Sequence, residues 1–197
     1  MRLEPGQRLV IATHNAGKVM EFNALLAPYK LECVAAGALG LPEPVEDAPD
    51  FAGNARLKAI AAAKGSGFCA LADDSGLAVA AMGGAPGVLS ARFAAELGGF
   101  APAMAAVIEH SRDDSRAAFA CALCLASPEG ETATYLAFCH GRIAEAPRGS
   151  GGFGYDPIFI PHGETRSFAE LSKAEKNAIS HRGRALRQFV AAHFGQP

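Results

Sequence analysis

Apolar positions along this chain switch between a strand period and a helix period, and the switches mark out its elements. Leu9-Val10-Ile11-Ala12, between Arg8 and Thr13, predicts a first strand buried at its centre. After the turn Asn15-Ala16-Gly17, residues 18–27 place Val19, Phe22, Leu25 and Leu26 on one helical stripe. Residues 31–35 predict a second strand, and residues 51–64 an Ala-rich helix closed by Gly65-Ser66-Gly67. A further helix is expected at 101–110. Two long strands are expected at 116–126 and 132–140, joined by the turn Ser127-Pro128-Glu129-Gly130, and a short one at 158–160. Strands interleaved with helices imply an α/β domain with a mixed sheet.

One apolar run ends oddly. Cys69-Ala70-Leu71-Ala72 leads into Asp73-Asp74-Ser75-Gly76 before Leu77-Ala78-Val79. The pattern predicts a strand that delivers two adjacent carboxylates into a turn, with a second strand after it. Near the C-terminus, Ser172-Lys173-Ala174-Glu175 fits a capping box, and Ser180 is positioned to cap another start. A straight helix turns about 100° per residue, so Lys176, His181 and Arg182 would lie at about 0°, 140° and 240° around it. If all three serve one ligand, the helix must break near Ser180.

Composition narrows the class. Half of the 197 residues are apolar and 19% are charged, which supplies one domain with a full core and excludes intrinsic disorder. The net charge is −2 and no basic run occurs, which argues against binding duplex nucleic acid. The start, Met1-Arg2-Leu3-Glu4-Pro5-Gly6, lacks the apolar region of a signal peptide, and no charge-free apolar stretch approaches ~20 residues, so no membrane span is expected. Five scattered cysteines suit the cytoplasm. Cys121 and Cys124 make a CxxC within a predicted strand, where residues three apart face opposite ways, so a shared metal or redox role is disfavoured.

The polar interruptions carry the chemistry. Asp73-Asp74 at a strand end suits a hard cation such as Mg²⁺, which takes carboxylate and phosphate oxygens; the competing reading is an Asp that caps its own turn. Thr13-His14-Asn15-Ala16-Gly17-Lys18 follows a strand and opens a helix, the arrangement in which backbone N–H groups and a lysine receive an anion, although the spacing is not that of a Walker A loop. Glu46 and Asp47 lie in a Pro-rich acidic loop, either solvated or closing a metal site with Asp73 or Asp74. Asn54 and Lys58 share a helix face, with Lys58 a second cation for a polyphosphate or part of a solvated stripe. Arg92 reads equally as a ligand or as a buried ion-pair member. Phe153-Gly154-Tyr155-Asp156, among many glycines, suits stacking on a flat base, with Asp156 reading a base edge or bracing the loop. His181 and Arg182 at a helix start are donors suited to a keto group.

Six ordered segments together resemble the inosine triphosphate pyrophosphatase family: Ala12 to Lys18, Phe51 to Ala59, Ala72-Asp73-Asp74-Ser75-Gly76-Leu77, Gly83-Gly84-Ala85-Pro86-Gly87, Gly151 to Pro157, and Ser180-His181-Arg182-Gly183. The resemblance implies an elongated mixed sheet with flanking helices, two lobes around a central nucleotide cleft, and a homodimer. It implies hydrolysis of non-standard purine triphosphates (ITP, dITP, XTP) to monophosphate and pyrophosphate with Mg²⁺. Carried onto this chain, Thr13, Asn15 and Lys18 would hold phosphate, with His14, Ala16 and Gly17 in the same substrate-binding turn. Glu46, Asp73 and Asp74 would form the metal site, Asp74 accepting the proton of the attacking water. Ser75, Lys58 and Lys176 would contact the nucleotide. Phe153 would stack on the base, and Gly154, Tyr155, Asp156, His181 and Arg182 would shape its pocket. Two departures stand out: Gly53, where the family often has Glu, and His14, where it often has a small residue. A pyrimidine-nucleotide pyrophosphatase of Maf-like type and a non-catalytic nucleotide sensor are the competing classes.

Overall fold

Short apolar runs rich in Val, Ile, Leu and Ala assemble into one six-stranded sheet in this computed structural model, which describes residues 1–194 apart from the side chain of Ala16. In chain order the elements are β1 (Arg8–Ile11), α1 (Ala16–Leu26), β2 (Glu32–Ala35), α2 (Phe51–Ser66), β3 (Ala70–Val79), α3 (Ser90–Glu96), α4 (Phe100–His110), β4 (Arg116–Ala126), β5 (Thr132–Ile143), β6 (Phe159–Pro161), α5 (Lys173–Ile179) and α6 (His181–His193). The strand order is β2-β1-β3-β4-β5-β6. β1 runs parallel to β2 and β3, in register Val10 with Val34 and Val10 with Ala70, while β5 and β6 are antiparallel. The sheet is mixed, as the interleaving of strands and helices implies.

The chain divides into two compact units. The first comprises residues 1–74, 122–136 and 185 onward; the second comprises 75–121 and 137–184. In the first, Ala55, Ala59, Ala62 and Ala63 of α2 pack on Val10, Ala70, Ala72, Ala122 and Cys124 of the strands. Methyl side chains let the helix sit close to the sheet. The second unit is aromatic instead, with Phe119, Tyr155, Phe159 and Phe168 packed among Leu77, Val79 and Val107. Each fully buried large apolar side chain stabilises by roughly 1.5–3 kcal/mol relative to exposure.

Three expectations need correction. Asp73-Asp74-Ser75-Gly76 is not a turn, because β3 runs unbroken through it. Successive strand residues face opposite sides of the sheet, and each carboxylate finds a lysine on its own side, so extended backbone is compatible with both. α2 continues past Gly65 to Ser66, whose hydroxyl donates to the Ala62 carbonyl at 2.7 Å; the left-handed residue that ends it is Gly67, at φ 73°. Arg92 is exposed, which removes the buried ion-pair reading. α3 has no signal in the apolar pattern and no side-chain cap. Its first residue, Ser90, is held by tertiary bonds, the hydroxyl accepting from Leu77 N–H at 2.9 Å and donating to the Gly87 carbonyl at 2.6 Å.

The break near Ser180 is present. Ser180 is extended (ψ 160°) between α5 and α6, and its hydroxyl accepts from Gly183 N–H at 3.1 Å. A Cβ on Gly183 would meet the Asn177 carbonyl oxygen at 1.9 Å, so the two helices meet this closely only over a glycine. Among the described residues no helix is long and apolar enough to cross a membrane.

Candidate functional site

In the first unit, β3 offers carboxylates to both of its sides. Asp73 is fully buried and lies 3.0 Å from Lys18 Nζ of α1. Asp74 shares its side with Ala70 and Ala72, where α2 packs. Its Oδ2 accepts from Asn54 Nδ2 at 3.1 Å, and its Oδ1 lies 3.8 Å from Lys58 Nζ. Lys58 also reaches Glu46 Oε1 at 2.5 Å. Glu46 and Asp74 therefore meet at Lys58, while Asp73 meets Lys18. The choice within the acidic loop is resolved: Glu46 is half-buried on Lys58, and Asp47 is exposed.

Electrostatics follow from this burial. Burial pushes the Asp74 carboxyl above the usual aspartate range. Lys58 opposes that rise, Glu46 reinforces it, and Asn54 and Lys18 oppose it. Burial alone would depress Lys58, but the charges of Asp73, Asp74 and Glu46 outweigh it and hold the ammonium above its ordinary value. The buried Lys58 thus stays charged beside carboxylates, one of which, Asp74, is poised to take a proton.

The turn before α1 is the candidate anion-receiving end. Thr13 Oγ accepts from Asn15 N–H at 3.1 Å, and Asn15 caps α1 by accepting from Lys18 N–H at 3.2 Å. The first N–H groups of a helix lack intrahelical partners and lie at its positive end. Ala16 opens α1, its side chain outside the described residues, and Gly17 follows in the first turn. His14 turns towards the acidic loop, with Nε2 3.2 Å from the Leu41 carbonyl.

A hard cation is chemically matched to this set. Among the described residues no three His, Cys, Asp or Glu side chains converge into an all-protein cage. Mg²⁺ asks for less, commonly one or two carboxylates completed by phosphate oxygens and water. Asp74 and Glu46, both at Lys58, are oxygen donors and fit that demand.

In the second unit, Asp156 is the hub. Buried to 2% exposure, it accepts from Phe153 N–H at 2.8 Å and from Lys176 Nζ at 2.6 Å. Of its two sequence readings, bracing the loop is the one in place. The Phe153 ring is half-buried and flanked by cations, with Lys176 Nζ 4.9 Å and Arg182 Cζ 5.8 Å from its centroid. Arg182 donates to Ser75 Oγ at 2.9 Å. His181 stacks on Phe119 at 4.7 Å with 9° between the ring planes. Tyr155 is a core residue: its hydroxyl donates to the Ser90 carbonyl at 3.0 Å, and burial pushes it up to about 12. Gly154 is left-handed (φ 64°) and faces Phe100. The α5–α6 break supplies Lys176 and Arg182 to one ring, as the helical-angle argument required.

Sequence reasoning singled out Asn54 without giving it a task, and missed Phe119 and Phe168. Asn54 orients Asp74; its spacing from Lys58 was the available signal. Phe119 and Phe168 form the shelf under His181, and an aromatic inside a buried strand gives no local sign of that use.

Comparisons with known proteins identify relatives of this chain. The profile of the Ham1 family matches residues 9–192. A protein of Gluconobacter oxydans (strain 621H) named dITP/XTP pyrophosphatase is 52% identical over 191 residues, covering 96% of this chain and 92% of its own. One of the same name from Rhodospirillum centenum is 50% identical over 194 residues, covering 96% of each. Among solved structures, a HAM1 protein from Coxiella burnetii superposes with a TM-score of 0.84 at 38% identity, covering 94% of this chain and 98% of that one. A dITP/XTP pyrophosphatase from Mycobacterium abscessus has a TM-score of 0.74 at 39% identity, covering 93% and 98%.

Proposed function

The chain belongs to the Ham1 family, and from that premise we propose that it is a nucleoside triphosphate pyrophosphatase that cuts dITP, XTP and ITP to the monophosphate and pyrophosphate. Its relatives at about half identity carry the name dITP/XTP pyrophosphatase. The observation that carries the reading is Asp74: a buried carboxylate oriented by Asn54, beside Lys58, with its proton affinity raised.

Glu46 and Asp74 would hold Mg²⁺, with Asp73 beside them; the ion when bound neutralises phosphate charge and acidifies coordinated water. The chain's own residues do the rest. Lys18, Lys58 and the first N–H groups of α1 offset the triphosphate charge. Asn54 orients Asp74 through Oδ2, and the carboxylate accepts the proton of the attacking water. The water oxygen bonds to one of the two phosphorus atoms flanking the α–β bridge. That P–O bridge bond breaks, and its electron pair leaves with the departing group. Positioning and charge compensation suffice, because phosphoryl transfer needs little covalent help.

The second unit supplies the base-recognition residues. Phe153 offers a face for a purine, Arg182 and His181 are donors suited to a 6-keto oxygen, and Asp156 with Lys176 sets the loop. A site built to donate to a keto group is left unpaired by the 6-amino group of adenine, and such mismatches discriminate strongly. The setting we propose is the cytoplasm, where five free cysteines persist, and the assembly is a homodimer, to be read by light scattering.

The test is product analysis with Mg²⁺ on ITP, XTP, dITP, GTP, ATP and dUTP, with pyrophosphate and inorganic phosphate assayed separately. Pyrophosphate and monophosphate from ITP, dITP and XTP, with ATP and GTP spared, is the expected result. Preference for dUTP would move the chain to pyrimidine nucleotides. Binding without turnover would make it a sensor.

A further inference from the structure

The segment that carries Glu46 has no regular structure of its own: residues 41–48 form neither helix nor strand. Glu46 nevertheless lies 2.5 Å from Lys58, so the segment must be held at its ends. At one end, Ala48 N–H donates to Asn54 Oδ1 at 3.0 Å. At the other, His14 Nε2 lies 3.2 Å from the Leu41 carbonyl. A carbonyl oxygen only accepts, so the imidazole proton sits on Nε2. Nδ1 then faces Glu43 Oε1 at 3.7 Å. The ring rests over Gly37, where an added Cβ would touch its Cδ2 at 3.4 Å. A small pocket is lined by His14, Ala12, Leu41, Pro42 and also Lys58, so the same wall carries the ring and the lysine that Glu46 grips.

We propose that His14 is a positioning residue: it fastens the acidic segment 41–48 to the turn at 13–18, so that the phosphate-receiving turn and Glu46 are set as one piece within this unit. His14 acts through Glu46, and the inference rests on the reading in which Glu46 joins the metal site. A small residue at this position leaves the Leu41 end of the segment without this bond.

The experiment compares wild type with His14→Ala, His14→Gln and Glu46→Gln. His14 is exposed, so the variants fold. Hydrogen exchange across residues 41–48 should quicken in His14→Ala by about threefold to tenfold, the size of one net hydrogen bond. It should recover in His14→Gln, whose amide also donates to a carbonyl. Mn²⁺ affinity, read by electron paramagnetic resonance with pyrophosphate present, should weaken by a similar factor in His14→Ala and recover in His14→Gln. Unchanged exchange in His14→Ala would overturn the fastening. Faster exchange with unchanged Mn²⁺ affinity, while Glu46→Gln does weaken Mn²⁺, would overturn the positioning role. If Glu46→Gln leaves Mn²⁺ affinity unchanged, the metal reading of Glu46 fails, and the exchange result still decides the fastening.

Discussion

Asp74 is held by opposing influences: burial and Glu46 favour its protonated form, while Lys58, Asn54 and Lys18 favour its charge. A proton acceptor needs that balance, because a carboxylate fully satisfied by cations is too weak a base. Asp74→Asn keeps the shape and removes the proposed base. Turnover of ITP should fall by about 10²- to 10⁴-fold, the usual worth of a positioned general base, while nucleotide binding measured by calorimetry survives in part. Equal rates in mutant and wild type would remove Asp74 from its role. The neighbouring Asp73 differs by one residue and one side of the strand. It lies 3.0 Å from Lys18 Nζ, which makes it a brace for that lysine.

Helix ends set the placement of the site, and two of them are open to test. α2 begins at Phe51, capped by Asp50, whose carboxylate accepts from Gly53 N–H at 2.7 Å. Alanine is about 1 kcal/mol better than glycine inside a helix, so propensity says that Gly53→Ala stabilises. The structure says otherwise: a Cβ there would lie 2.6 Å from the Cβ of Ala48, in the acidic segment. Gly53→Ala should leave the melting temperature at or below wild type, and adding Ala48→Gly should raise it above the single mutant. A gain from Gly53→Ala alone would remove the contact from the account. At α5, Glu175 is held down to about 2 by Ser172, through side chain and backbone, and by Arg166. A depressed carboxylate contributes stability that is present above its unfolded value near 4.5 and lost as pH falls towards 2. The melting-temperature gap between wild type and Glu175→Gln should therefore be full at neutral pH and close between about pH 5 and pH 2. A gap independent of pH would mean that the charge of Glu175 contributes nothing.

The two compact units are interleaved along the chain: β3, β4 and β5 each contribute residues to both. No single cut separates them. Heat or urea should accordingly unfold the protein in one transition, with far-ultraviolet circular dichroism and tyrosine fluorescence coinciding; two separated transitions would show independent folding units. The mixed sheet, most element positions and the helix break at Ser180 were legible in the residue order, because periodicity, caps and the 100° helical step are local properties. The residues that cluster within each unit were legible too, since Asp73-Asp74, the turn at 13–18 and the Phe153 loop each interrupt an apolar or regular pattern. Folding supplied what no local pattern encodes. The paired aspartates lie within one strand rather than in a turn, because Lys18 and Lys58 arrive from two different helices to meet them. Glu46 rather than Asp47 meets Lys58, since only the packed acidic segment settles which of two adjacent carboxylates faces inward. Asn54 gains its task from Asp74, twenty residues away. Partners distant in sequence leave no trace in either one's neighbourhood, and contact across the fold is what turns these side chains into a site.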